Sequence, residues 1–92
     1  PCKYGIGSKV KNSLVADGCI IEGEVENCVI FRGVKVGKGA RVKNSIIMQD
    51  TIIGEKADLN YVITDKMVII SDNRTLSGSQ LYPLFVGKGA TV

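Results

Sequence analysis

The sequence predicts an all-β fold built as a stack of short parallel strands, and three observations lead to it. A seventeen-residue unit recurs from Val25, Val42 and Leu59, and a shortened copy precedes it from Val10. Val and Ile dominate the apolar content while aromatic residues make up only 5%, which favours strands over helices. Each unit divides into steps of six, five and six residues. Units of fixed period bury their apolar sides against their neighbours, so the sequence predicts a triangular parallel β-coil of about four to five turns.

Matching positions of successive units predict the columns that fill the interior. Each buried aliphatic side chain contributes roughly 1.5–3 kcal/mol, so these columns are expected to supply the main stabilisation. The first column contains Val10, Val25, Val42, Leu59 and Leu76. The second contains Ile21, Val36, Ile53 and Ile70, and the third contains Cys19, Val34, Thr51 and Val68.

Two kinds of residue are expected at the corners of the coil. Asn12, Asn27 and Asn44 form one column, and Asn tolerates left-handed backbone better than most residues do. Gly37 and Gly54 follow an aliphatic residue at another corner, where we expect glycine to relieve the steric limits on φ. The pattern is short by two residues in the first turn, and the segment SGSQLYPLF at 77–85 is expected to bulge from the coil.

The outward columns predict where the coil contacts other proteins. Two outer stripes are expected to be apolar, whereas the third face carries Arg41, Asp58 and Thr75 and should be solvated. Apolar stripes on a small domain favour contact with another domain or subunit, although β propensity alone would also place Ile and Val outside. The candidate interface residues are Val15, Ile30 and Ile47 in one stripe and Ile20, Ile52 and Ile69 in the other.

The charge pattern argues against several classes of partner. The net charge is only +3, and Lys and Arg are mixed with Asp and Glu rather than forming the basic patch of a nucleic-acid-binding protein. No apolar run is long enough to span a membrane, and three cysteines without metal or redox spacing fit reduced thiols. One turn does carry candidate contacts for a small anionic effector, namely Arg32, Lys35, Lys38, Arg41 and Lys43.

The chain contains no His, which argues against two enzyme classes that use a coil of this kind. Hexapeptide-repeat acyltransferases rely on a His general base, and coil-type carbonic anhydrases need His to hold Zn²⁺. Cys28 has no accompanying base and is interpreted as a small corner residue. The GKGA segments at 37–40 and 87–90 lack the pattern of a phosphate-binding loop. We therefore predict no catalytic, metal-binding or cofactor-binding residue in the chain.

The segment 12–54 carries a resemblance to a known family. It reads NSLVADGCIIEGEVENCVIFRGVKVGKGARVKNSIIMQDTIIG and is similar to the carboxy-terminal left-handed β-helix of bacterial glucose-1-phosphate adenylyltransferase, also called ADP-glucose pyrophosphorylase. The phrases NSLVADGCIIEG, FRGVKVGKGA and NSIIMQ resemble the regulatory glycogen-biosynthesis subunit of Gram-positive bacteria. The resemblance runs from Lys3 to Val92, and it implies a single-stranded left-handed parallel β-helix of hexapeptide repeats over residues 1–92.

The resemblance also implies a function. The family joins ATP and glucose 1-phosphate to give ADP-glucose and pyrophosphate with Mg²⁺, in an amino-terminal nucleotidyltransferase domain whose motifs are absent here. Because the chain opens on Pro1 and the repeat still runs at Val92, we interpret it as the excised carboxy-terminal part of a larger cytoplasmic protein. It is expected to serve assembly and allosteric communication. The expected partners are its own catalytic domain and other adenylyltransferase subunits in a homo- or hetero-oligomer.

Two alternatives stay open from the sequence. The coil could belong to a sugar-nucleotide enzyme in which it acts as a hexapeptide-repeat acyltransferase, or it could be a purely structural coil that trimerises.

Overall fold

The computed structural model describes all residues, 1–92, and contains fifteen short strands and no helix. Each strand pairs in parallel with the strand three places further along the chain, so the chain forms three five-stranded sheets around one core. The result is a three-sided β-solenoid of about four turns, consistent with a left-handed β-helix of hexapeptide repeats. The predicted all-β coil is confirmed.

The three sheets are named face A, face B and face C. Face A contains β1 (Lys3–Tyr4), β4 (Ile20–Ile21), β7 (Lys35–Val36), β10 (Ile52–Ile53) and β13 (Ile69–Ile70). Face B contains β2 (Lys9–Lys11), β5 (Glu24–Glu26), β8 (Arg41–Lys43), β11 (Asp58–Asn60) and β14 (Thr75–Ser77). Face C contains β3 (Leu14–Val15), β6 (Val29–Ile30), β9 (Ile46–Ile47), β12 (Val62–Thr64) and β15 (Leu84–Val86).

The register of the strands follows the repeat. On face A, Lys35 pairs with Ile52 and Ile52 pairs with Ile69, so each step is seventeen residues. Ile20 pairs with Lys35 after only fifteen residues, which confirms the predicted short turn. Each strand between the two ends of the solenoid is therefore hydrogen-bonded on both sides, and its backbone polar groups are satisfied.

The core consists of the predicted columns. Ile21, Val36, Ile53 and Ile70 are all buried, and so are Cys19, Val34, Thr51 and Val68. In the remaining column Val25, Val42 and Leu59 are buried, whereas Val10 is exposed and Leu76 is half-buried. Those last two residues belong to terminal turns, where no further turn covers them.

One corner of the solenoid changes the alternation of side chains. Asn12, Asn27 and Asn44 turn the chain from face B to face C, and their φ angles are 50°, 53° and 52°. Tyr61 continues this column with a φ of 54°. The expectation of left-handed backbone at the Asn column is confirmed. Val25 points inward and Glu26 outward before the corner, and Cys28 is again buried directly after Asn27, so the alternation shifts by one residue across the corner.

This corner makes one sequence prediction wrong. Val15, Ile30 and Ile47 were expected to point outward, but Ile30 and Ile47 are fully buried and Val15 packs against the core. Thr64, in the same column, is buried as well. Strict alternation carried across the corner assigns these residues to the wrong side, since a shift of one residue moves every side chain to the other face. The outward-facing residues of face C are the ones that directly precede them in each strand.

The glycines at the corner between faces A and B also act differently from the expectation. Neither Gly37 nor Gly54 has a positive φ. A Cβ on Gly37 would lie 2.8 Å from the backbone N of Glu55, and one on Gly54 would lie 2.6 Å from the backbone N of Asp72. Glycine is present here because adjacent turns approach each other closely, and the left-handed residue of this corner is Gly39 in one turn and Lys56 in the next.

The predicted insertion lies between face B and face C in the last turn. Val62 pairs with Leu84, a step of twenty-two residues, and the side chains of Leu81 and Tyr82 are exposed. Ser79 and Tyr82 exchange backbone hydrogen bonds of 3.0 and 3.1 Å, which close the bulge. Leu84 and Phe85 belong to β15 rather than to the bulge, so the insertion is shorter than expected. The coil then resumes, and Thr91 bridges to Ile69.

Candidate interaction faces

The outer side of face C is a continuous apolar ladder. Its strands align Leu14 with Val29, Val29 with Ile46, Ile46 with Ile63 and Ile63 with Phe85. Ala16, Phe31 and Met48 follow directly after the strands of the first three turns and extend the apolar surface. The sequence analysis missed this ladder because pairs such as Val29–Ile30 are apolar at both positions, so polarity does not indicate which side chain points inward. The available signal was the column directly after the Asn corner. Its residues Ser13, Cys28 and Ser45 are all small, which indicates that this position points inward.

A shallow apolar depression lies at one end of this ladder. It has a volume of about 270 Å³. Its lining is entirely apolar and comprises Leu14, Val15, Ala16, Val29, Ile30 and Phe31. At the opposite end of the ladder Phe85 projects, with 60% of its surface exposed.

Face A is a mixed surface. Ile52 and Ile69 are exposed and Ile20 is partly exposed, as expected, but Lys35 stands between Ile20 and Ile52 in the same column. Carboxylates of Glu22, Glu55 and Asp72 line the adjoining groove. The role of Ile20, Ile52 and Ile69 in an interface stays a prediction. The charged neighbours make face A a less continuous apolar surface than face C.

Face B is charged and pairs its charges internally. Its outer column runs Lys9, Glu24, Arg41, Asp58 and Thr75 through successive turns. Arg41 Nη2 donates a hydrogen bond of 3.1 Å to Asp58 Oδ2, with both side chains about half exposed. Exposed pairs of this kind contribute about 0–1 kcal/mol. The alternation of charge suits a face that stays in water.

The five basic candidates for effector contacts do not converge on one site. Arg32 lies at the corner between faces C and A, and Lys35 lies on face A. Lys38 lies at the next corner, and Arg41 and Lys43 lie on face B. They therefore surround one turn of the coil. Contact with an effector stays a prediction for them.

The buried thiols have structural environments. Cys28 Sγ lies 3.1 and 3.3 Å from the carbonyl oxygens of Glu26 and Val42, which share its single S–H donor, and the Cys28 backbone N–H donates to Ser13 Oγ at 3.0 Å. Burial raises the pKa of Cys28 above its usual value, and burial likewise raises the pKa of Cys19. A raised pKa keeps a thiol protonated and poorly nucleophilic near neutral pH.

Neither a metal cluster nor a membrane-spanning helix is found. No three His, Cys, Asp or Glu side chains are grouped so that they could hold a metal ion. No helix is present that is long and apolar enough to cross a bilayer.

Comparison with known proteins assigns the solenoid to a family. The model of the GlmU-like, C-terminal hexapeptide family matches residues 3–80. The chain belongs to this family. Membership of the hexapeptide family agrees with the three-sided parallel architecture.

Individual relatives of this hexapeptide domain have names from glycogen metabolism. A glycogen biosynthesis protein, GlgD, of Bacillus subtilis (strain 168) is 56% identical over 89 residues, which cover 97% of this chain and 26% of that protein. A glucose-1-phosphate adenylyltransferase of Acetivibrio thermocellus is 37% identical over 98 residues, covering 100% of this chain and 23% of that protein. The hexapeptide chain thus spans about a quarter of the length of these curated relatives.

Proposed function

We propose that this chain is a non-catalytic domain of a glycogen-biosynthesis subunit, in which it supports subunit assembly and allosteric communication. In the whole protein, a separate nucleotidyltransferase domain would join ATP and glucose 1-phosphate to give ADP-glucose and pyrophosphate. The observation that carries the proposal is the 56% identity to GlgD over 97% of this chain. Identity of that extent covers the solenoid as a whole rather than one motif.

The chemistry of the surface supports an assembly role. Face C offers a continuous apolar ladder, while face B carries alternating charges that suit solvent. Contiguous apolar patches larger than a few hundred Å² mark contacts with other proteins. The partners we propose are the catalytic domain of the same protein and other adenylyltransferase subunits, and the proposed location is the cytoplasm.

The donor set does not fit the Mg²⁺ ion that the adenylyltransferase reaction uses. No cluster of three carboxylate, thiol or imidazole ligands exists in the chain. We therefore assign the metal to the separate catalytic domain and derive no chemical step from this one.

A chimera tests the proposal. The matching region of Bacillus subtilis GlgD is replaced by this chain, and the chimera is expressed together with the glucose-1-phosphate adenylyltransferase of the same organism. We expect the chimera to co-purify with that enzyme and to change its rate of ADP-glucose formation as intact GlgD does. GlgD truncated before the coil is the control. A folded chimera that behaves like the truncated protein would refute the assembly role.

The acyltransferase alternative has its own test. The 92-residue chain is incubated with acetyl-CoA and a panel of amino sugars and sugar phosphates, and release of free CoA is followed. The absence of His and the burial of Cys19 and Cys28 predict no turnover above the uncatalysed rate. Sustained release of CoA would contradict the non-catalytic assignment.

A further inference from the structure

We propose that Cys2 and Cys19 form a reversible disulfide that fastens the first turn of the solenoid to the second. The inference goes beyond the proposed function, because it assigns an oxidation site whose chemistry holds whatever the parent protein does. The observation that leads to it is the position of the two cysteines. They are seventeen residues apart in the sequence, and the stacking of the turns places them side by side in one inward column.

The strand register sets the two residues opposite each other. Lys3 pairs with Ile20 at the start of face A, and the Lys3 backbone N–H donates a 2.9 Å bond to the Cys19 carbonyl. Because Cys2 and Cys19 directly precede these paired residues, their Cα atoms lie one strand spacing apart, about 4.8 Å. This separation falls within the range of about 4.4–6.8 Å that disulfide-bonded cysteines adopt.

The two side chains also point the same way. Cys2 Sγ donates to the Ala16 carbonyl at 2.8 Å, and Cys19 Sγ donates to the Phe31 carbonyl at 3.1 Å. Ala16 and Phe31 are equivalent residues, since each directly follows a strand of face C. Burial is the main cause that raises the pKa of Cys19, and the neighbouring Cys2 thiol raises it further, which agrees with two thiols close together. The sulfur atoms are therefore neighbours across the two turns.

The two thiols differ in accessibility, which sets the order of the reaction. Cys2 is partly exposed, whereas Cys19 is 1% exposed. The oxidant we name is a small-molecule disulfide such as oxidised glutathione. The Cys2 thiolate attacks one sulfur of that disulfide and releases one reduced glutathione, and Cys19 Sγ then attacks Cys2 Sγ and releases the second. The chain loses two electrons and two protons, and the two glutathione molecules gain them.

The first turn can adjust to the bond. The Cβ atoms of stacked residues also lie about 4.8 Å apart, slightly more than the roughly 3.5–4.5 Å of a disulfide. None of residues 1–18 is buried, so a small movement of this turn toward the next costs little packing. Because geometry away from the optimum makes a disulfide easier to reduce, we expect a labile bond that free thiols reverse, rather than a permanent crosslink.

Oxidation of the 92-residue chain tests the pairing. The chain is incubated with oxidised glutathione, its remaining thiols are alkylated, and its peptides are mapped by mass spectrometry without reduction. We expect a Cys2–Cys19 crosslink and a free Cys28, because Cys28 follows a different corner of the coil, after Asn27. In urea the shorter loop between Cys19 and Cys28 should compete, since closing a shorter loop costs less entropy.

Valine variants separate the two steps of the reaction. Val34 and Val68 already occupy the column of Cys19, so valine suits this position. Cys19→Val should stop at the mixed disulfide, and its mass should rise by one glutathione. Cys2→Val should stay unmodified, because the remaining Cys19 is buried. Cys28→Ser is the matched control, and it should form the crosslink as the original chain does.

Amide hydrogen exchange measures whether the bond fastens the first turn. The backbone N–H groups of Gly5, Lys9 and Leu14 donate to carbonyls of the second turn. We expect these amides to exchange about tenfold more slowly after oxidation, and dithiothreitol should restore the original rates.

Several results would overturn the proposal. A chain that stays reduced, a crosslink that includes Cys28, or one that joins two chains would contradict the pairing. A native chain that shows the same mixture of crosslinks as the chain in urea would contradict selection by the register. A Cys2–Cys19 bond that leaves the three amide rates unchanged would contradict the fastening of the first turn. None of these results depends on the glycogen-biosynthesis role.

Discussion

The corner residues between faces B and C combine a backbone requirement with a side-chain ladder. Asn44 has a φ of 52°, a region that non-glycine residues rarely adopt, and Asn tolerates it better than most. Its side chain accepts a hydrogen bond of 3.2 Å from Asn27 Nδ2 and donates one of 2.9 Å to Asn60 Oδ1. Amides of successive turns are therefore linked along the corner.

Two substitutions at Asn44 separate these contributions. Asn44→Gly keeps the backbone conformation and removes the amide bonds, so we expect a loss of about 1 kcal/mol in the free energy of unfolding. Asn44→Val adds the strain of a β-branched residue at positive φ, and we expect about 2–4 kcal/mol in total. Urea denaturation measures both variants. Equal losses would mean that backbone strain is unimportant at this corner.

The buried thiols predict how stability depends on pH. The raised pKa values of Cys28 and Cys19 mean that the folded chain holds these protons more tightly than the unfolded chain does. The unfolded chain then loses protons first as the pH rises through about 8.5, so the free energy of unfolding falls from that pH upward. Below that pH the contribution is fully present.

Cys28→Ser isolates this effect, because Ser13 and Ser45 already occupy the equivalent corner positions. We expect the variant to fold and to lose less stability than the original chain between about pH 8 and pH 10. Melting temperatures across this range provide the measurement. If both proteins lose stability in parallel, titration of Cys28 does not contribute.

At the scale of the strand, neighbouring residues of the same type have opposite environments. Ile46 and Ile47 are adjacent in β9, yet Ile46 is 37% exposed and Ile47 is 0% exposed. Hydrophobicity does not distinguish these two residues. Their environments differ because of the direction in which the strand enters face C from its corner. This pair is the sharpest test of the corrected alternation.

Alanine substitution of each residue provides that test. Ile47→Ala should cost about 2–5 kcal/mol, because it leaves a cavity between turns. Ile46→Ala should cost less than about 1 kcal/mol, because its side chain already contacts water. Urea denaturation of the two variants compares them. A larger loss at Ile46 would reinstate the alternation expected from the sequence.

For the whole molecule, the insertion in the last turn is separable from the solenoid. Gly78 occupies the position that follows Tyr61 in the corner column, and its backbone N–H donates a 2.9 Å bond to the Asn60 carbonyl. Leu84 donates a 2.9 Å bond to the Tyr61 carbonyl and resumes face C. Residues 79–83 are the five that the seventeen-residue step does not need.

Deletion of residues 79–83 should therefore preserve the fold. Gly78 can adopt the left-handed corner conformation that Tyr61 adopts, and Leu84 would follow it directly. We expect a melting temperature within a few degrees of the original, because shortening a loop changes its closure entropy only slightly. Deletion of residues 45–49, also five residues, is the control and should abolish folding, since it removes β9. An unfolded 79–83 deletion would show that the bulge stabilises the last turn.

Much of the fold could be predicted from the periodic residues. Parallel stacking aligns equivalent positions of successive repeats. The buried columns through Val36 and Val42 and the left-handed Asn corner follow directly from this alignment. The candidate faces were predicted less well. The outward side chains of face A were predicted correctly, as the exposed Ile52 shows. Those of face C were predicted one residue away from their true positions, as the buried Ile47 shows.

The sequence by itself determined the architecture, because a repeat of seventeen residues dominated by Val and Ile can bury its apolar side only by stacking turn on turn. It also determined the family, because residue identity with a known relative extends along nearly the whole chain. Only the tertiary structure decided which apolar residue of each pair faces water. That choice depends on how many residues form each corner, and the backbone geometry of the corner at Asn27, rather than hydrophobicity, decides whether the alternation continues or shifts.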